Sequence, residues 1–280
     1  MYRTPSTYSF FRSAFWATLT AISFAVMITA VHFMGGKFDA FQIVFFRAVL
    51  TLLFTGLLIF REKINPFGNH KKLLIARGIT GTIALFLVYE SIKRFPLSEA
   101  TVIQYLFPIF TALIAALIIS EPLNKKIFGA ILVGLFGVYA VLGFPFLIDT
   151  VEINMNNIII AITGSFLTGL SYVLVRQSTK VNEHPLVVMF YFPLFTVPFC
   201  IPLLFSNWVN PSSKEWGFLL LVGVCTQLGQ FFLTHGYKEL PAAKAAPLSY
   251  VQVPFAMIMG TIFFDEVISL SFIIGSMLVL

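Results

Sequence analysis

The chain has 280 residues, 58% of them hydrophobic and only 11% charged, with a formal net charge of +6 and a mean hydropathy of +0.92. A soluble domain carries about 25% charged residues, so this composition excludes a soluble fold, a disordered chain, a collagen-like repeat and a secreted disulfide scaffold. The positive charge alone would suit a nucleic-acid binder, but membrane chains collect Lys and Arg on one side of the bilayer, so its meaning depends on where the charges fall.

Ten apolar runs are long enough, at about 1.5 Å per residue, to approach or cross a hydrocarbon core of about 30 Å. They are predicted at 14–34, 41–60, 73–92, 98–119, 127–148, 158–175, 186–205, 217–236, 242–264 and 267–280. The runs are apolar on every face instead of alternating, which favours helices over a barrel. The first follows a short basic head, Arg3 and Arg12, but is too long for a signal-peptide core and has no small-residue cleavage site, so it reads as a span. The last holds 14 residues and the chain stops inside it, which predicts a truncated C-terminus. Cys200 and Cys225 lie inside apolar runs without paired spacing and are read as packing residues, not as a disulfide or a zinc site.

With a cytoplasmic N-terminus, twelve basic residues fall on the inner side: Arg3, Arg12, Arg61, Lys63, Lys71, Lys72, Lys125, Lys126, Arg176, Lys180, Lys238 and Lys244. Four fall outside, Lys37, Lys93, Arg94 and Lys214, while Arg47 and Arg77 lie within spans. The asymmetry fixes the expected orientation and explains most of the net charge.

A shift of 145 positions lays Phe86 to Pro96 over Phe231 to Pro241. The same shift pairs Phe45 with Phe190, Gly78 with Gly223, Ala100 with Ala245, Tyr105 with Tyr250 and Glu121 with Glu266. Two five-span repeats are therefore expected, 1–148 and 149–280, and an odd span number forces the second copy to enter the membrane in the opposite sense. The expected fold is an all-α membrane protein of ten transmembrane helices in two inverted five-helix repeats. Such halves open a central site alternately to either side, which predicts transport; a merely enlarged bundle, as in a channel, scramblase or membrane-embedded enzyme, is the competing reading.

Phe45-Phe46-Arg47, Arg77-Gly78, Ser98 to Val102 leading into Pro108 to Thr111, Glu121, and Tyr250 with Asp265-Glu266 together resemble the drug/metabolite transporter superfamily in its ten-helix EamA-like branch. The resemblance covers nearly the whole chain and is specific for the superfamily, not for a substrate. Arg47 with Arg77-Gly78 resembles a sub-branch that includes S-adenosylmethionine and organic-anion carriers. The resemblance implies a site near the midplane, lined by the third, fourth, eighth and ninth spans with help from the first, second and sixth.

In the eighth span Gly223, Gln227, Gln230 and Thr234 form one narrow stripe. Two amides facing lipid would go unsatisfied, so this stripe faces protein or a wet cavity. Gly78, Thr82 and Tyr89 mark the matching stripe of the third span, with Leu85 breaking its polarity. The fourth span presents Thr101, Gln104, Tyr105, Pro108 and Thr111, where the proline frees a carbonyl one turn back. The ninth presents Ser249, Tyr250 and Gln252 before Pro254, one place later than the repeat predicts, so the two halves should kink differently.

An arginine inside a span suggests a functional site, and a guanidinium fork suits a substrate carboxylate or phosphate; yet Arg47 and Arg77 both lie near span ends, where each could snorkel to the interface. Trp16, Tyr89, Tyr105, Tyr172 and Tyr250 could stack on a ring or hold a cation, and equally could be packing. Glu90 and His235 occupy equivalent positions and both can titrate, which makes them candidate proton-coupling sites or an ordinary interfacial pair. Glu121-Pro122 and Asp265-Glu266 read as architectural, the carboxylate favoring the start of the next helix.

No HExxH, GxSxG, P-loop or Rossmann fingerprint is present. The expectation is therefore a secondary carrier with no cofactor, metal or nucleic-acid partner, surrounded by lipid as a monomer or homodimer, most naturally in a bacterial inner membrane. Its expected substrate is a small polar metabolite, amino-acid-like or carboxylate-bearing, with a purine or other aromatic portion. S-adenosylmethionine or a nucleoside-like molecule is the alternative cargo. Substrate binding is expected at Arg47, Arg77, Thr82, Tyr89, Gln104, Tyr105, Tyr172, Gln227, Gln230, Ser249 and Tyr250.

Overall fold

The computed structural model describes residues 7–95, 97–144, 154–204, 208–265 and 269–279, and among them there are helices and turns but no strand. In chain order these are α1 (Thr7–Phe33), α2 (Ala40–Arg61), α3 (Lys71–Arg94), α4 (Leu97–Gln104), α5 (Phe107–Ile118), α6 (Lys125–Val141), α7 (Met155–Lys180), α8 (Pro185–Leu204), α9 (Ser213–Glu239), α10 (Ala242–Ala245), a 3₁₀ segment (Ala246–Val251), α11 (Gln252–Phe264) and α12 (Leu270–Val279). Eight segments are long and apolar enough to cross a membrane, so the chain is a multi-pass helical membrane protein. Two of the ten expected spans are shorter than a crossing requires: α6 has 17 residues and α12 has 10. The apolar run behind α6 continues to 148, but Gly143 and Phe144 take φ of +79° and +57° and turn the backbone out of the helix.

Side-chain caps set the helix starts. Asp39, Asn124 and Asn154 accept from the first-turn backbones of α2, α6 and α7, and Ser212 forms a reciprocal capping box with Glu215 on α9. The helices beginning at Ala40, Leu97, Phe107 and Lys125 have counterparts beginning at Pro185, Ala242, Gln252 and Leu270, each 145 residues later.

Neither the fourth nor the ninth span is one continuous helix. Before Pro108 the chain breaks at Tyr105 and Leu106; the Gln104 carbonyl that proline frees accepts from Ser165 Oγ at 3.0 Å, and the Tyr105 carbonyl accepts from Tyr250 Oη at 3.3 Å. Before Pro254 the break is instead a 3₁₀ segment, where the Gln252 N–H turns back to the Ser249 and Tyr250 carbonyls. The one-place offset of the prolines thus produces two different kinks.

The long helices pair across the chain: α1 runs along α9, α3 along α7, α2 along α8 and α6 along α12. The last pair meets backbone to backbone, since a Cβ on Gly137 would lie 2.8 Å from the Gly275 carbonyl oxygen. Cys200 and Cys225 are free and buried.

One end of the bundle gathers the N-terminal part of α1, the α2–α3, α5–α6, α7–α8 and α9–α10 connections, and with them most of the basic residues; we call it the basic end. There Leu74, Ile119, Val173, Val187, Leu233, Tyr237 and Leu240 share one core. Glu121, only 2% exposed, accepts from Arg176 Nε at 2.9 Å and from the Ala242 N–H at 2.5 Å, while Arg176 Nη1 donates to the Tyr237 and Lys238 carbonyls. This corrects the expectation for Glu121: the helix it caps is α10, and the one that follows it is capped by Asn124. Asp265 likewise takes the C-cap of α11, and Glu266 lies outside the described residues.

Nearby, buried Glu183 accepts from the Asn69 N–H at 2.7 Å, the His70 N–H at 2.5 Å and the His70 ring at 2.9 Å, capping α3. Burial by itself would raise its carboxyl, but these bonds outweigh it and hold the group below the ordinary carboxylate value of 4.5. A depressed folded pKa contributes stability that is present above about 4.5 and lost as pH falls through the folded value. Thermal melts between pH 7 and pH 3 are expected to show an acid limb that Glu183→Gln flattens, while the variant itself is about 1–3 kcal/mol less stable at neutral pH. An unchanged acid limb would remove Glu183 from that account.

Candidate functional site

A cavity of about 830 Å³ lies between α1, α9 and α11 on one side and α3, α4 and α7 on the other, with Arg47 of α2 and Phe192 of α8 reaching into it. The two walls are joined at the basic end, where Arg176 of α7 holds the end of α9 and α10 packs on α5, and at the kinks, where Tyr250 packs on Tyr105. Toward the opposite end the cavity extends to His32, Tyr89, Ile92 and Phe264.

Eight of the eleven residues expected to bind substrate line it, Arg47, Arg77, Tyr89, Gln104, Tyr105, Tyr172, Gln230 and Ser249, as do Thr101 and Gln252 of the fourth and ninth spans. Arg77 is 3% exposed and does not snorkel. Its Nη1 donates to Ser171 Oγ at 2.7 Å, its guanidinium lies 4.9 Å from the centre of the Phe192 ring, and its Nε has no partner among the described residues. Room for it comes from Gly81 one turn on, where a Cβ would collide with Arg77 Nη1. Arg47 is half-buried, with Nη1 3.8 Å from Met27 Sδ. Gln104 Nε2 donates to Thr168 Oγ1 at 3.2 Å, and Ser249 Oγ donates to the Ala246 carbonyl at 2.6 Å. Among the described residues, no Asp or Glu lines it.

The other three and the two candidate proton-coupling residues lie outside the lining. Thr82 bonds Thr196 at 2.9 Å, and Gln227 Oε1 accepts from Thr55 at 3.1 Å, so these two polar groups join neighbouring helices. Tyr250 is buried against Tyr105, their ring centres 5.8 Å apart. Glu90 pairs with Arg94 and Lys93 on its own helix. His235 stacks among Trp16 and Phe231 with Nδ1 2.8 Å from the Phe231 carbonyl oxygen. The α9 stripe therefore splits: Gly223 and Gln227 face α2, and Gln230 faces the cavity.

Sequence reasoning missed Ser171, Phe192 and Tyr237. Tyr237 continues the Gln230 face two turns on, and its hydroxyl is buried without a partner. Ser171 and Phe192 carried no signal, because what makes them matter is Arg77 arriving from another helix.

The EamA-like transporter family model matches residues 11–143 and 155–280. The chain is 28% identical over 264 residues to the pseudopaline exporter CntI of Pseudomonas aeruginosa, covering 94% of this chain and 91% of that protein. It is 27% identical to mouse solute carrier family 35 member G1 over 90% of this chain and 72% of that protein. It is 21% identical to the S-adenosylmethionine uptake transporter of Rickettsia prowazekii, covering 95% and 88%. A crystal structure superposes with a TM-score of 0.81 at 17% identity, covering 95% of this chain and 93% of that one, which is a likeness of fold alone.

Proposed function

The chain belongs to the EamA-like transporter family, and from that membership we propose a secondary transporter that carries a small carboxylate-bearing metabolite by alternating access. The observation that carries the substrate class is the cavity itself, which holds two arginines and, among the described residues, no lining carboxylate. No nucleotide-binding loop is present to drive transport by hydrolysis.

We further propose ten helices in two inverted repeats with the N-terminus in the cytoplasm of a bacterium. The 145-residue recurrence of helix starts supports this. So does the pairing of the helices, since exchanging the halves turns α1 on α9 into α7 on α3, and both contacts exist. Contacts between the walls at the basic end, with the cavity extending the other way, support a single open state of such a cycle.

Counterflow in proteoliposomes tests the reading with labelled carboxylates, amino acids, nucleosides and S-adenosylmethionine. Saturable exchange, accelerated by unlabelled substrate on the far side, is expected for at least one anionic compound. Flux that never saturates with any of them would mark a channel or scramblase instead. Within this reading, Gly81→Ala should push the Arg77 guanidinium off Ser171 and Phe192, at a cost of about 1–3 kcal/mol in stability. Transport at limiting substrate is expected to fall by roughly tenfold or more, and wild-type rates in vesicles would show that the Arg77 position is immaterial.

A further inference from the structure

We infer that the part of the cavity nearest the basic end is an anion subsite built by Arg77, Ser171 and Tyr237, and that its ligand is an amphipathic organic anion without an ammonium beside its acidic group. The inference rests on the transporter reading above and sharpens its substrate class.

Two independent groups point the same way. Among the described residues Arg77 is a buried guanidinium with one hydrogen-bonded partner, the neutral Ser171 hydroxyl, and an unpartnered Nε. Tyr237 lines the same cavity with a buried hydroxyl that has no partner among the described residues. Tyr172 connects them: it follows Ser171 in the chain, and its ring centre is 5.2 Å from that of Tyr237. Arg77 lies in the second turn of α3 and Tyr237 in the last turn of α9, so both donors belong to the basic end.

A guanidinium offers only donors, and a buried charge without a counter-ion is costly. A buried hydroxyl without a bond adds to the same deficit. One acceptor-rich, negatively charged group entering from outside the chain would satisfy both. Among the described residues the lining has no carboxylate to pair an ammonium, so an amino acid would bring a positive charge into a site that already holds one. The remaining lining sets Phe24, Leu85, Val88, Met257 and Phe264, which suit an apolar or aromatic body, beside the polar Gln104, Gln230 and Gln252.

Four ligands with one aromatic body and different heads separate the possibilities: phenylpropionate, phenylalanine, phenethylamine and phenylpropanol. Ligand-induced thermal shift on the purified full-length chain, titrated with each, is expected to rank phenylpropionate first, with the other three at least tenfold weaker. Tyr237→Phe is expected to weaken phenylpropionate about fivefold while leaving the unliganded melting temperature the same or higher, since the buried hydroxyl has no bond among the described residues to lose. Arg77→Gln is expected to abolish the shift. Equal or tighter binding of phenylalanine or phenethylamine overturns the anion subsite, and saturable counterflow of either would still leave the carrier reading standing. Unaltered phenylpropionate affinity in Tyr237→Phe also overturns the subsite. If none of the four binds, the subsite falls, and if counterflow also fails with every compound tried, the carrier reading falls with it.

Discussion

Arg77→Met is expected to make the ligand-free protein more stable and the working protein useless. Burying an ion costs several kcal/mol even after local relaxation. Against that cost stand one charge-assisted bond to Ser171 and the Phe192 ring contact, contributing about 1.5–3 and about 1–2 kcal/mol. With no lining carboxylate among the described residues to complete the compensation, removing the charge should raise stability by about 1 kcal/mol or more. The same change deletes the buried partner of the substrate anion, a loss of about 2–5 kcal/mol, or roughly 30-fold and upward in affinity. Scanning fluorimetry and vesicle uptake on one preparation check both signs. A melting temperature that falls would show the guanidinium already compensated within the chain.

Glu121→Ala should act in the opposite direction and at least as strongly. Its carboxylate joins α5, α7 and the start of α10 at once, and Arg176, which it neutralises, also holds the end of α9. Deleting it strands a mostly buried arginine and uncaps α10, and breaking a buried pair from one side costs about 3–5 kcal/mol. Glu121→Gln keeps an acceptor for the Ala242 N–H and should lose less. Because Arg176→Ala breaks the same node, the double variant is expected to be far less destabilised than the sum of the two singles. Additive losses in detergent-solubilised melts would mean that the two residues act separately.

The membrane-crossing elements were readable because a crossing needs only length and apolarity, and both are local properties. Proline marked the two broken spans for the same reason: the missing donors at Pro108 and Pro254 are written into the residues themselves. What could not be read was set by neighbours distant in the chain. Arg77 stands near a predicted helix end, where a long side chain ordinarily reaches for the interface; Ser171, Phe192 and the space above Gly81 turn it inward instead. Helical periodicity placed Gln227 and Gln230 on one face of α9 without revealing that α2 covers the first and the cavity receives the second. Hydropathy overran the end of α6 because it does not register the left-handed turn at Gly143 and Phe144. Glu121 announced a cap but not whose, since α10 lies 121 residues further along the chain.

The polar groups of the early helices find their partners late. Thr55 waits for Gln227, Thr82 for Thr196, Arg77 for Ser171 and Glu121 for Arg176. During synthesis the first five or six helices would therefore enter the bilayer before these interhelical partners exist, with Arg77 still uncompensated and Glu121 waiting at the basic end. A ribosome paused between α6 and α7 would leave those groups to water, to lipid headgroups or to an insertion chaperone. The nascent chain should be most exposed to quality-control proteolysis in that interval, and least once α9 has docked along α1.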